Sequence, residues 1–400
     1  MSGGAVYLDH AATTPTDPRV AAAMAACLAA DGDFGNPSSA NHDFGSRAHA
    51  LVEHARAGVA AAAGADPAEV IWTSGATEAN NMAIFGVAHH ERSQGRHLVT
   101  ARTEHRAVLD PCRELERRGW RVTYLVPARS GLIDPAAVAD ALRPDTVLVS
   151  IMHVNNEIGV VQDIAAFAAA CAAHGTARLH VDAAQSLGKC DVDFGASGAD
   201  LMSLSAHKAY GPKGVGALLV SRRHGVHIAP LLYGGSQERG LRAGTVATHQ
   251  VVGMGTALGL LPTGGEANAE RRRIAGLRER LWSGLQALGG VLRNGEDAHC
   301  VPQILNVSFE HVEGESLLAA IRPHLAVSSG SACASANREP SYVLRALGRD
   351  QRLAESSLRF SLGRSTSAAD IDTAVHVVAG AVQRLRRIAG AAGWNAQASL

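Results

Sequence analysis

Between about residue 50 and residue 220, short apolar runs alternate with stretches whose apolar residues recur every three to four positions. Val70–Thr73, His97–Ala101, Val122–Val126, Thr146–Met152, Arg178–Val181 and Asp200–Leu204 read as strands. Helical patterns cover 48–63, 78–91, 105–118, 135–142 and 163–174, the first stopping at Gly64. Apolar strands that alternate with helices predict a mostly parallel sheet covered on both faces, an α/β fold. Pro262-Thr-Gly-Gly265 interrupts this pattern. Beyond it, Ile274, Leu277, Leu281, Leu285 and Leu288 form one helical stripe. A second helix spans 367–388, opened by the capping box Ser367-x-x-Asp370 and carrying Ile371, Val375, Val378, Val382 and Leu385. Strands at 304–308 and 357–361 lie between them, which predicts a smaller α+β unit. Gly253-x-Gly255-x-x-x-Gly259 follows no strand, so helix packing explains it better than a dinucleotide site.

Polar residues gather just after the apolar strands: Asn156 and Glu157, Asp182 and Gln185, then Ser205, His207 and Lys208. Open α/β sheets bind ligands at the carboxyl ends of their strands, so these segments are expected to converge. Lys208 ends the run Leu201–Ser205 and is followed by Gly211, Pro212, Gly214 and Gly216, which force turns. A lysine on a strand end beside hydroxyl and imidazole groups suits a Schiff base to pyridoxal phosphate. That cofactor also needs a phosphate cradle, a carboxylate at its ring nitrogen and a face for the ring. Ser74-Gly75-Ala76-Thr77 before a helix suits the phosphate. Asp182 suits the ring nitrogen, and His105 follows a strand where it could stack on the ring.

Length and composition narrow the classes. Four hundred residues exceed what one core of about 250–300 residues organises. Lys plus Arg and Asp plus Glu both number 37, so no global field draws the chain to nucleic acid or an anionic membrane. No apolar run approaches the roughly 20 residues of a membrane span, and the first residues lack a signal-peptide pattern. The expectation is a soluble, cytoplasmic protein. None of the six cysteines forms Cys-x-x-Cys or zinc-finger spacing, so no metal site is expected. Cys27, Cys112 and Cys171 lie in helical stretches as apolar fillers. Cys333 differs, standing in the small-residue loop Ser328-Ser-Gly-Ser-Ala-Cys-Ala-Ser335.

Segments nearly end to end carry a family resemblance. They are Tyr7-Leu-Asp-His-Ala-Ala-Thr-Thr-Pro15, Phe34-Gly-Asn-Pro-Ser38, Thr73-Ser-Gly-Ala-Thr-Glu78, Thr103-Glu-His-Arg-Ala-Val108 and Ser150-Ile-Met-His-Val-Asn-Asn-Glu-Ile-Gly159. Asp182-Ala-Ala-Gln185, Ser205-Ala-His-Lys208, Glu238-Arg-Gly-Leu-Arg-Ala-Gly-Thr245, Ser328–Cys333 and Ser357–Gly363 complete them. The chain resembles the cysteine desulfurases of the IscS/NifS family, in the class V aminotransferase group of fold-type I pyridoxal-phosphate enzymes.

The resemblance implies a large domain over 15–262, and a small domain from 1–14 and 263–400 that carries a catalytic loop at about 326–340. Lys208 would hold the cofactor. Ala76, Thr77, Ser205 and His207 would bind its phosphate, with Thr245 reaching in from the second subunit of a homodimer. Asp182 would meet the ring nitrogen, Gln185 the ring oxygen, and His105 would stack on the ring and assist proton transfer. Asn36, Asn156 and Arg359 would hold the carboxylate of L-cysteine, and Cys333 would take its sulfur as a persulfide. That sulfur would pass to an iron–sulfur scaffold or another acceptor protein, for cluster assembly and tRNA thiolation, and the persulfide could ligate a nascent cluster. The alternatives are the same activity dedicated to DNA sulfur modification, or a selenocysteine lyase or aminotransferase of the same fold. Three departures from the family pattern stand out: Ala206 in place of glycine, Ala334 in place of a common threonine, and a C-terminus without the acidic-aromatic tail. The last bears on the acceptor more than on the chemistry.

Overall fold

The computed structural model describes residues 4–91, 94–223, 225–329 and 340–391. Strand β1 (Val6–Tyr7) comes first. Seven strands then build the large sheet: β2 (Val70–Thr73), β3 (His97–Ala101), β4 (Arg121–Leu125), β5 (Thr146–Met152), β6 (Arg178–Asp182), β7 (Leu201–Ser205) and β8 (Gly216–Val220). A later group comprises β9 (Val291–Arg293), β10 (Ile304–Phe309), β11 (Leu325–Ala326), β12 (Ser328–Ser329) and β13 (Ser357–Ser361).

The large sheet has the order β2-β8-β7-β6-β5-β3-β4. Its strands are parallel except β8, which runs antiparallel to both β2 and β7. This is the mostly parallel α/β sheet that the apolar runs predict. All seven residues of β5 are buried, as a central strand covered on both faces requires. On one face Val52 and Val59 of the helix Asp43–Ala63 join a core with Phe167, Leu179 and Val181. On the other, Met82, Ile84 and Val87 of the helix Ala76–His90 pack with Leu98, Leu148 and Leu218. The sequence pattern does not single out β8. It pairs antiparallel with β7, the strand just before it, and with β2 near the start of the large sheet, and local periodicity carries no sign of that direction or of the β2 pairing.

The second sheet is antiparallel, in the order β12-β13-β10-β9. The helices Gly264–Gln286 and Ala368–Ala391 cover it, and Leu281, Leu285, Val378 and Val382 share a core with Phe309 and Phe360. Leu8 from the chain's start lies in the same core, because β1 pairs in parallel with β11. The capping box forms reciprocally: the Ser367 N–H donates to Asp370 at 2.8 Å and the Asp370 N–H to Ser367 Oγ at 3.2 Å. Gly253 and Gly255 serve close packing of the helix Thr248–Gly259. A Cβ at Gly255 would come within 2.7 Å of the Ala55 backbone, and one at Gly253 within 2.7 Å of Met24.

Candidate active site

The carboxyl ends of β5, β6 and β7 open into a cavity of about 470 Å³, within the about 300–1,000 Å³ usual for small-molecule sites. Each strand stops where its apolar run stops, so the next polar residues emerge at one edge. Asp182 ends β6 and is buried. Its two oxygens accept from Asn80 Nδ2 at 2.7 Å and from the Ala184 N–H at 3.0 Å. Gln185 follows, its Nε2 donating to the Ala11 carbonyl at 2.8 Å. Among the described residues, the buried Gln185 Oε1 and Asn80 Oδ1 have no hydrogen-bond partner.

Ser205 ends β7 and pairs with Gly216 across the sheet. His207 and Lys208 lie in the turn beyond. Lys208 Nζ donates to the Ala11 and Ala12 carbonyls, at 2.7 Å each. His207 Nδ1 meets Thr13 Oγ1 at 3.2 Å. Burial, reinforced by the Lys208 charge, pushes the His207 imidazole down to about 4, so it is neutral near pH 7. Ala76 and Thr77 form the first turn of the helix Ala76–His90, after Gly75 at φ 147°. Gly216 of β8 lies beneath that turn, where a Cβ would come within 2.7 Å of Gly75. Backbone N–H groups at such a helix start, with the Thr77 hydroxyl, suit a phosphate.

His105 caps the helix Arg106–Arg117, its Nδ1 accepting from the Ala107 N–H at 3.1 Å. Burial lowers its affinity for a proton; the nearby Asp182 acts in the opposite direction. Arg359 comes from β13 on the second sheet. Its guanidinium donates to the Asn156 carbonyl, Asp9 Oδ1 and Ser328 Oγ, each at 2.8 Å. Its buried Nε has no partner among the described residues. Arg359 and Asn156 both line the cavity.

Ten of the thirteen residues singled out from sequence therefore line one cavity: Ala76, Thr77, His105, Asn156, Asp182, Gln185, Ser205, His207, Lys208 and Arg359. Two do not. Asn36 is exposed, with its Oδ1 accepting from the Ser38 N–H at 2.9 Å. Thr245 is exposed and absent from the cavity wall of its own chain. Cys333 lies outside the described residues.

Three contributors escaped the sequence reading. Asn80 holds Asp182, Asp9 pairs with Arg359, and Arg242 pairs with Glu78 of the helix start at 2.8 Å. Asn80 had one available signal, as a polar residue on the apolar face of a helix. The ion pairs had none, because each joins segments far apart in sequence.

The residues present fit pyridoxal phosphate. A lysine, a carboxylate with two donors, an imidazole and a glycine-lined helix start surround one space, and the unpartnered Gln185 and Asn80 oxygens border it.

The aminotransferase class-V family matches residues 6–374. A cysteine desulfurase IscS from Pectobacterium atrosepticum is 54% identical over 381 residues, covering 95% of this chain and 93% of that protein. Among solved structures, a NifS-like protein superimposes with a TM-score of 0.86 at 32% identity, covering 96% of this chain and 99% of the other. SspA in complex with cysteine does so with a TM-score of 0.79 at 37% identity, covering 89% and 98%. With family match, identity and fold in agreement, the chain belongs to the class-V aminotransferases, as an IscS/NifS-family cysteine desulfurase.

Proposed function

We propose that this chain removes sulfur from L-cysteine, releasing L-alanine and leaving a persulfide on Cys333. The enzyme is a pyridoxal-phosphate-dependent cysteine desulfurase; the residue roles, the dimer and the destination of the sulfur are our reading. The observation that carries it is the joint placement of Lys208, Asp182 and Arg359 around one cavity.

Pyridoxal phosphate, when bound, supplies an electron sink for charge that forms at the substrate Cα. Lys208 would hold the cofactor, and its amine would take a proton from the substrate Cα. Asp182, fixed by Asn80, keeps a carboxylate at the ring nitrogen. Gln185 would meet the ring oxygen, and His105 would face the ring and move a proton near it. Ala76, Thr77, Ser205 and His207 hold the phosphate, completed by Thr245 of a second subunit. Arg359 and Asn156 bind the substrate carboxylate, since a guanidinium fork matches it bidentately. Asn36, exposed in one chain, would complete that grip across the same subunit interface.

The nucleophile is assigned partly by exclusion. The five described cysteines are Cys27, Cys112, Cys171, Cys190 and Cys300. Burial raises the thiol of each, to about 12 for Cys112 and Cys171 and about 11 for Cys190 and Cys300, so none is a ready thiolate at neutral pH. Cys333 then attacks the substrate sulfur. The S–Cβ bond breaks as the S–S bond forms, and the carbon fragment takes protons to leave as alanine.

We further assign residues 15–262 to a cofactor-binding domain, and 1–14 with 263–400 to a smaller domain. No helix among the described residues is long and apolar enough to cross a membrane. A cytoplasmic homodimer that passes sulfur to an iron–sulfur scaffold or a tRNA-thiolation acceptor is the role that accords best with the IscS relatives.

The deciding experiment is mass spectrometry of the Cys333 peptide after the purified enzyme meets L-cysteine without reductant. One added sulfur atom, with an equivalent of alanine, is expected. Lys208→Ala abolishes turnover, whereas Cys333→Ala binds the cofactor and yields no protein persulfide. An unmodified Cys333 in a cofactor-loaded enzyme would refute the nucleophile assignment and return the weight to lyase or aminotransferase chemistry.

A further inference from the structure

Lys208 also lines a second cavity, of about 240 Å³. Lys189, from the turn after β6, forms part of its wall together with Lys208. Only 6% of Lys189 is exposed. Its ammonium donates to the Lys208 backbone carbonyl at 3.4 Å, its one hydrogen bond among the described residues, and it pairs with no carboxylate there. A buried ammonium with a single long hydrogen bond and no counter-ion is costly, and stability alone does not account for it.

The charged and titratable groups around Lys189 leave it poorly compensated. Lys208 faces it from the turn after β7, and Arg359 from β13; both add positive charge. Cys190, next in the chain, acts the other way. Across the second cavity stand His10, Tyr210, Glu270 and Arg364. Of these, Glu270 is paired with Arg273 at 2.7 Å and Arg364 with Asp17 at 3.0 Å. His10 is buried and pushed down to about 4, chiefly by burial, so it is neutral. Burial and the Lys208 charge together push the Lys189 ammonium down to about 7. The two lysines carry like charge, so a charge on either opposes a charge on the other.

We propose that Lys189 is a positioning residue for Lys208: it grips the Lys208 backbone and, through its own charge, keeps the Lys208 amine free to accept a proton. This rests on the assignment of Lys208 as the cofactor lysine. It gives the chain a built-in device for the step in which a lysine, ordinarily protonated at neutral pH, must act as a base.

The test is the pH midpoint of the cofactor's visible absorbance, which titrates with the nitrogen of Lys208, followed in the loaded enzyme. Lys189→Met removes the neighbouring charge and is expected to move the midpoint to higher pH by about one unit, a tenfold change in proton affinity. Lys189→Arg retains a charge that does not titrate, and its midpoint is expected at or below that of the parent enzyme. Lys189→Gln replaces Lys189→Met with the same expectation if the methionine variant does not fold. A midpoint unchanged in a folded, loaded neutral variant would overturn the proposal, even if turnover had fallen, because a merely structural role leaves it in place. Lys208→Ala separates the two assignments. If that variant keeps the titration, Lys208 is not the cofactor lysine and both readings fall; if it loses the titration while Lys189→Met leaves it unmoved, only the present one does.

Discussion

Asp182 shows how one buried carboxylate depends on a neighbour that the sequence does not advertise. It accepts one hydrogen bond from its own turn, at the Ala184 N–H, and one from Asn80 on a helix 102 residues earlier. The local bond comes with the turn, while the Asn80 bond exists only because the helix Ala76–His90 packs across the sheet. Removing a partner from a buried hydrogen-bonded carboxylate costs about 1–3 kcal/mol. Asn80→Leu, close in size, is therefore expected to weaken cofactor retention about tenfold or more, as measured by equilibrium dialysis against pyridoxal phosphate. Unchanged retention would mean that Asp182 needs only its turn.

At the scale of elements, the helix Thr248–Gly259 separates two uses of glycine that look alike in sequence. Gly255 meets the helix Asp43–Ala63 so closely that a Cβ would strike the Ala55 backbone, whereas a Cβ at Gly259 would meet nothing within 4 Å. Gly255→Leu is expected to destabilise the protein by about 1–3 kcal/mol through overpacking. Gly259→Ala should be neutral or stabilising by up to about 1 kcal/mol, from the lower cost of ordering alanine in a helix. Urea unfolding midpoints of the two variants decide it; equal effects would mean that the helix pair relaxes freely. Sequence reading recovered the longer helices, the strands β2 to β7, β10 and β13, and the glycine-rich helix as a packing element, because each follows from a period of two or about 3.6 within a short window; it passed over shorter helices such as Pro18–Ala26 and Gly314–Ile321. It did not recover β8, whose antiparallel pairing on both sides no local period encodes, or the ion pair between Asp9 and Arg359, which joins residues remote in the chain.

Across the whole molecule, buried titratable groups set the response to acid. His97 and His153 are pushed down to about 4 and His180 to about 3, each chiefly by burial. His180 is wedged within the sheet, its ring nitrogens on Ser150 Oγ at 2.8 Å and Ser203 Oγ at 2.9 Å. These imidazoles stay neutral in the fold but take a proton near pH 6.5 once unfolded. Their contribution is full above pH 6.5 and is lost as the pH falls toward about 4, or about 3 for His180. Glu104 and Glu157 act in the opposite sense. Burial raises both, Glu157 to about 7, so their contribution is full below pH 4.5 and fades as the pH rises through the folded-state value. His180→Asn is expected to remove about 1.4 kcal/mol of stability loss per pH unit between pH 6 and pH 4. Urea midpoints at pH 6, 5 and 4 measure this, and parallel slopes in parent and variant would refute it.

By itself the sequence determined the alternation of strands and helices through most of the large sheet, the smaller α+β unit beyond it and the chemistry gathered at the strand ends, because these depend on local periodicity and on residue types such as Lys208, Asp182 and Arg359. Only the tertiary structure decided what surrounds those side chains. It set Asn80 against Asp182, Asp9 against Arg359 and the uncompensated Lys189 beside Lys208. It also left Asn36 and Thr245 outside the cavity of their own chain. The physical reason is range. Periodicity and capping act over one or two turns of chain, whereas burial, desolvation and charge coupling depend on which distant segments the sheet order brings within a few ångströms.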